Sequence, residues 1–111
     1  MGLEQKYAPG DVLFKEGEPS TDVFLIKSGK VRIIKNGITI AQLGPGEFLG
    51  EMGVIDRRPR SATAEAMEET YVHKIDADTL REKMEAEPII GTLIMTLVKR
   101  LRDADRRLTE L

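Results

Sequence analysis

The residues best suited to chemistry lie in Phe48-Leu49-Gly50-Glu51-Met52-Gly53-Val54-Ile55 and the following Arg57-Arg58-Pro59-Arg60-Ser61-Ala62-Thr63-Ala64. Gly50 has no Cβ, so a ligand and the backbone can approach closely there. Glu51 to Val54 can form one helical turn, whose first N–H groups lack carbonyl partners and attract anions. Arg60, next to Pro59, offers a planar fork that matches two phosphate oxygens. Ser61 and Ala62 then enter a strand and add backbone donors. Together these residues make a phosphate cradle. A carboxylate at Glu51 repels phosphate, but it makes sense if it accepts a hydrogen bond from a sugar hydroxyl and pairs with Arg60. An anion clamp, a sugar acceptor and apolar walls fit a nucleotide.

Composition excludes most other chemistry. The chain of 111 residues has no Cys and one His. Disulfide scaffolds, thiol nucleophiles, Cys-ligated zinc, iron–sulfur clusters and multi-His metal sites are therefore out, and no metal or cofactor is expected. His73 falls in a strand without a visible catalytic partner set, and Asp76 and Asp78 read as turn and cap residues, so no catalytic residues are expected. The net charge of −2 provides no global basic field for nucleic acid. Lys99-Arg100-Leu101-Arg102 and Arg106-Arg107 are interspersed with Asp103 and Asp105, which makes a solvated helix face rather than a DNA contact. Met1 to Lys6 is too polar for a signal-peptide core, and the longest apolar stretch, Ile89 to Val98, is about half a membrane span. The expected location is the cytoplasm.

The elements that must position the cradle are strands. Before residue 77, short apolar runs are cut by turn residues: Pro9-Gly10-Asp11, Glu16-Gly17-Glu18-Pro19, Ser28-Gly29, Asn36-Gly37 and Gly44-Pro45-Gly46. The runs are Val12 to Phe14, Val23 to Ile26, Val31 to Lys35, Ile38 to Leu43, Phe48-Leu49, Ser61 to Ala66 and Tyr71 to Ile75. Asn36-Gly37 predicts a type I′ hairpin, in which both central residues need positive φ. Many short strands with evenly spaced turns predict a mainly β protein, a barrel or jelly roll. After residue 77 the period becomes helical. Asp78 caps a short helix through Glu85, and Pro88 opens a second helix that can run to Leu111, about 36 Å if fully formed.

Along that second helix Ile90, Ile94, Leu97, Leu101, Ala104, Leu108 and Leu111 form a heptad seam. Its first half also carries Ile89, Leu93, Met95 and Val98, so it is apolar nearly all round, as in a helix buried on two sides. One side can face the barrel and the other a second copy, giving a homodimer through helix 89–111. The other arrangement packs the helix on its own domain alone.

The segment 48–64 resembles the phosphate-binding cassette of the cyclic nucleotide-binding domain family, in which Gly-Glu and apolar residues precede Pro-Arg-small-Ala-Thr. Tyr7-Ala8-Pro9-Gly10-Asp11, Glu16-Gly17-Glu18-Pro19, Phe24 to Val31 and Leu43-Gly44-Pro45-Gly46-Glu47-Phe48 also stand in family order, so the resemblance spans nearly the whole chain. It implies one domain over 1–111: an eight-stranded jelly-roll β-barrel at 1–76 containing the cassette, with C-terminal α-helices at 77–111. It further implies a regulatory sensor, not an enzyme, that binds cyclic AMP or cyclic GMP, with cyclic AMP favoured. Arg60 would clamp the cyclic phosphate and Glu51 would bind the ribose 2′-hydroxyl. Gly50, Met52, Gly53, Ser61 and Ala62 would supply backbone donors, and Val31, Ile33, Leu49 and Thr63 would wall the base and sugar. Lys99, Arg100 and Arg102 are the candidate base-capping residues on the last helix, which would act as lid and dimer helix. Where family members that are transcription factors carry adjacent Thr and Ser for adenine, this chain has Ala104-Asp105. The effector would lie outside the chain, as a channel, kinase, transporter or DNA-binding domain. The competing reading is a jelly-roll module that has lost its ligand and serves only to dimerise.

Overall fold

Glycine and asparagine turns set the strand boundaries. Asn36 and Gly37 have φ of 53° and 77°, the paired positive values that a type I′ hairpin needs. The computed structural model describes residues 3–109, without the side chains of Leu3, Asp56 and 105–109. Among the described residues, eight strands precede the C-terminal helices: β1 Leu3–Tyr7, β2 Val12–Phe14, β3 Asp22–Ser28, β4 Val31–Lys35, β5 Ile38–Leu43, β6 Phe48–Leu49, β7 Thr63–Ala66 and β8 Thr70–Asp76. A short helix, α1 Glu51–Asp56, separates β6 from β7. The strands form two antiparallel four-stranded sheets, ordered β1-β8-β3-β6 and β2-β7-β4-β5, which is the jelly-roll order.

Inward-facing residues of both sheets make the core: Phe24, Ile26, Val31, Leu49, Ala64 and Val72, with Tyr7, Leu13, Phe14, Ile33 and Leu43 packed against them. Alternation produces this, as in β7, where Ala64 and Ala66 are buried and Thr63 and Glu65 are half-exposed. Strand β1 was not among the sequence expectations. Its residues Glu4, Gln5 and Lys6 are polar, and it exists because it pairs with β8 from Leu3↔Lys74 to Tyr7↔Thr70.

The described residues divide into two compact units between Ala77 and Asp78. Helix α2 Ala77–Ala86, whose first residue closes the first unit, leads into α3 Pro88–Thr109 in the second. Helix α2 starts two residues before a cap at Asp78 would place it, so Asp78 lies in the first turn rather than at the cap, and it ends one residue beyond Glu85; α3 begins at the expected proline. A Cβ at Gly91 would lie 2.7 Å from the Met84 carbonyl oxygen, so the two helices meet at a contact only glycine allows. The end of the seam, Leu108 and Leu111, lies outside the described side chains. Among the described residues, no helix is long and apolar enough to cross a membrane.

Candidate functional site

The cassette bridges the two sheets. Strand β6 pairs with β3 in one sheet, through Phe24↔Leu49, and β7 pairs with β2 and β4 in the other. Between them, Gly50 caps α1 with φ 83°. A Cβ there would collide with Arg60 Nη1, so both the turn and the close approach of Arg60 require glycine. The carbonyl of Gly50 accepts the first helical bond, from the Val54 N–H at 3.3 Å. The N–H groups of Glu51, Met52 and Gly53 therefore fall in the first turn, where α-helical donors have no intrahelical partner.

Loop 57–62 is strapped to the turn between β2 and β3. The Gly17 N–H donates to the Arg60 carbonyl and the Arg60 N–H to the Glu18 carbonyl, both at 2.8 Å. Ser20 Oγ donates to the Arg58 carbonyl, and Thr63 Oγ1 accepts from the Glu16 N–H. This strap corrects the expectation that Ser61 and Ala62 lie in a strand. The Arg60 backbone is spent on the turn rather than on a ladder, and β7 starts at Thr63.

Arg60 is 5% exposed. Its Nη1 donates to the Gly50 carbonyl at 2.8 Å and its Nη2 to the Asp22 carbonyl at 2.6 Å. Its Cζ lies 4.1 Å from the centroid of the Phe14 ring. Arginine has five N–H donors. Two are engaged here, and the buried Nε has no partner among the described residues. The expected ion pair with Glu51 is absent among the described residues. Carbonyls satisfy donors without cancelling charge, so Arg60 stays a buried cation with donors to spare. Burial lowers its pKa from the ordinary value, and Asp22, Glu18 and Glu51 draw it back up. The Asp22 carboxylate is itself occupied, 3.5 Å from Lys74 Nζ.

Glu51 is half-buried, and its carboxyl is raised above the ordinary range chiefly by desolvation. A hydrogen bond from its own backbone N–H and the charge of Arg60 oppose the rise. Gly50, Met52, Gly53 and Thr63 are half-exposed beside them, Ser61 is exposed and Ala62 is buried. Val31 and Leu49 belong to the core, at 0% and 3% exposure, whereas Ile33 keeps part of its surface. Lys99 and Arg100 are exposed and Arg102 half-exposed on α3, in the second unit. Sequence reasoning missed two residues that hold the Arg60 guanidinium, Asp22 and Phe14. Asp22 acts through its carbonyl, which no residue type signals, and Phe14 reads as one more apolar strand position.

The cyclic nucleotide-binding domain family model matches residues 4–87. The chain belongs to the cyclic nucleotide-binding domain family. It is 34% identical over 108 residues to the cyclic AMP receptor protein of Thermus thermophilus, covering 92% of this chain and 50% of the relative. It thus spans about half the length of that relative. The catabolite activator protein of Thermus thermophilus superposes with a TM-score of 0.80 at 33% identity, over 97% of this chain and 54% of that one. The EAL enzyme Bd1971, solved with cAMP bound, superposes with a TM-score of 0.75 at 28% identity, over 96% of this chain and 30% of that one. It is also solved with cGMP bound. Within this family the chain is a regulatory ligand-binding domain, and its ligand class is the cyclic nucleotide.

Proposed function

We propose that the chain is a sensor that prefers cyclic AMP to cyclic GMP and couples binding to its C-terminal helix without catalysing a reaction. The observation that carries this reading is Arg60: a buried cation anchored by two carbonyls, with an unpartnered Nε, beside the first turn of α1. Arg60 clamps the cyclic phosphate, and Glu51 accepts from the ribose 2′-hydroxyl. Gly50, Met52, Gly53, Ser61 and Ala62 present backbone groups, and Ile33 and Thr63 flank the base and sugar with Val31 and Leu49 behind them. Lys99, Arg100 and Arg102 are the base-capping candidates. Ligand shifts the position of α3 only insofar as it binds one arrangement better than the other.

The preference for cyclic AMP is modest, about tenfold. Ser61 can reach the guanine 2-amino group of a syn base, so it admits cyclic GMP. On the proposed lid helix, however, the sequence carries cations at Lys99, Arg100 and Arg102 and no carboxylate before Asp103. That the Thermus relative is a cyclic AMP receptor protein supports the same choice. Competition of both nucleotides against a fluorescent analogue tests it. A preference for cyclic GMP that disappears in Ser61→Ala would reassign base recognition to Ser61.

The same helix serves dimerisation. Its seam residues Ile90, Leu97 and Leu101 are exposed at 46%, 48% and 54% in the single chain. A second copy would cover them in the manner of a short coiled coil. Leu101→Asp places a charge in that seam, so sedimentation shows dimer becoming monomer while the barrel stays folded. A wild-type chain that is monomeric at high micromolar concentration, with and without nucleotide, contradicts the dimer.

A further inference from the structure

The underside of the clamp is aromatic. Arg60 Cζ lies over the Phe14 ring at 4.1 Å from its centroid and 5.9 Å from that of Phe24, and the two rings are 5.8 Å apart. Phe14 is aimed there by a bulge. Strand β2 pairs Val12 with Glu65 and Phe14 with Ala64, successive residues of β7, so Leu13 is the extra residue. A bulge turns the following side chain, and here both Leu13 and Phe14 pack toward the core.

A ring beneath a buried guanidinium differs from a carboxylate beside it. The π-face attracts the cation but accepts none of the in-plane N–H groups, and it does not neutralise the charge. The two carbonyls fix one part of the guanidinium rim, and the ring fixes its plane. The Nε–H is buried and has no partner among the described residues, so the guanidinium keeps a donor that neither carbonyl nor ring satisfies.

We infer that Phe14 is a positioning residue for anion capture, holding the Arg60 guanidinium by a cation–π contact that leaves its charge and free N–H groups to the ligand phosphate. The inference rests on the reading of Arg60 as the phosphate clamp. In this role Phe14 acts through Arg60 rather than on the nucleotide.

Isosteric variants separate this role from core packing. Phe14 is replaced in the full chain by monofluoro-, difluoro- and trifluorophenylalanine, which drain the π-face while keeping the ring shape. Cyclic AMP affinity is read by titration calorimetry, and the Arg60 Nε–H resonance is read by NMR without nucleotide. The expected result is a stepwise loss of affinity along the series, about tenfold in total, while the nucleotide-free domain stays folded at every step. The Arg60 Nε–H is expected upfield from the ring current in the wild type, and shifted downfield in Phe14→Leu. A wild type that binds cyclic AMP, with a fluorinated series of equal affinity, overturns the inference and reduces Phe14 to packing. A wild type that binds no cyclic nucleotide overturns the clamp reading itself, and this one with it.

Discussion

Arg60→Ala weakens cyclic nucleotide binding by roughly 30-fold to several-thousand-fold. The range follows from leaving a desolvated phosphate without its charge partner, about 2–5 kcal/mol. The position leaves little scope for compensation. Arg60 is 5% exposed, its guanidinium is fixed by the carbonyls of Gly50 and Asp22, and Glu51 supplies only negative charge nearby. Arg60→Lys also loses affinity. An ammonium is a point charge, so it cannot hold two carbonyls and a bidentate anion in one plane. Titration calorimetry of the three proteins checks this, and unchanged affinity in the Ala variant removes Arg60 from the site.

Glu51→Ala lowers affinity for cyclic AMP by about 10- to 100-fold, the worth of a hydrogen bond to a charged acceptor. The same change matters far less for the 2′-deoxy analogue, which has no hydroxyl to donate. Equal losses for both ligands would show that Glu51 does not read the sugar. Its raised pKa adds a pH test with two opposite signs. Burial makes the folded domain hold the Glu51 proton more tightly than the unfolded chain does. In the window between the unfolded and folded values, this group alone makes the free domain less stable as pH rises. Binding runs the other way, because the ionised carboxylate is the stronger acceptor for the hydroxyl, so affinity falls as pH drops through the raised value. Glu51→Gln flattens both dependences, which paired melting curves and titrations across that window would show.

Local signals were legible where one residue type can satisfy a backbone demand. Asn36-Gly37 marked its hairpin because few residues tolerate φ of 53° and 77° in succession. Pro88 marked the start of α3, and the Gly-Glu and Pro-Arg pairs marked the cassette. Features set by distant partners were not legible. Leu3–Tyr7 becomes a strand only because β8 is there to pair with it. The strand expected from Ser61 starts at Thr63, because the turn at Gly17 and Glu18 takes up the Arg60 backbone groups.

The candidate site follows the same division. The residue types of the proposed site can be picked out in the sequence, since the proposed anion clamp and sugar acceptor need particular functional groups. Their internal wiring cannot. Opposite charges at Glu51 and Arg60 suggested an ion pair, yet the guanidinium donates to two main-chain carbonyls. That substitution has a consequence for function. An Arg60 already paired to a carboxylate would have to exchange one anion for another, whereas an Arg60 held by carbonyls and a ring keeps its charge for the ligand.

The central claim is that this chain binds a cyclic nucleotide through its cassette. Titration calorimetry of residues 1–111 with cyclic AMP tests it most directly. The account predicts saturable heat with one nucleotide per chain, abolished when the site is saturated with nucleotide beforehand and strongly reduced in Arg60→Ala. No heat and no ligand-induced thermal shift, with either cyclic AMP or cyclic GMP on a folded chain, would contradict it.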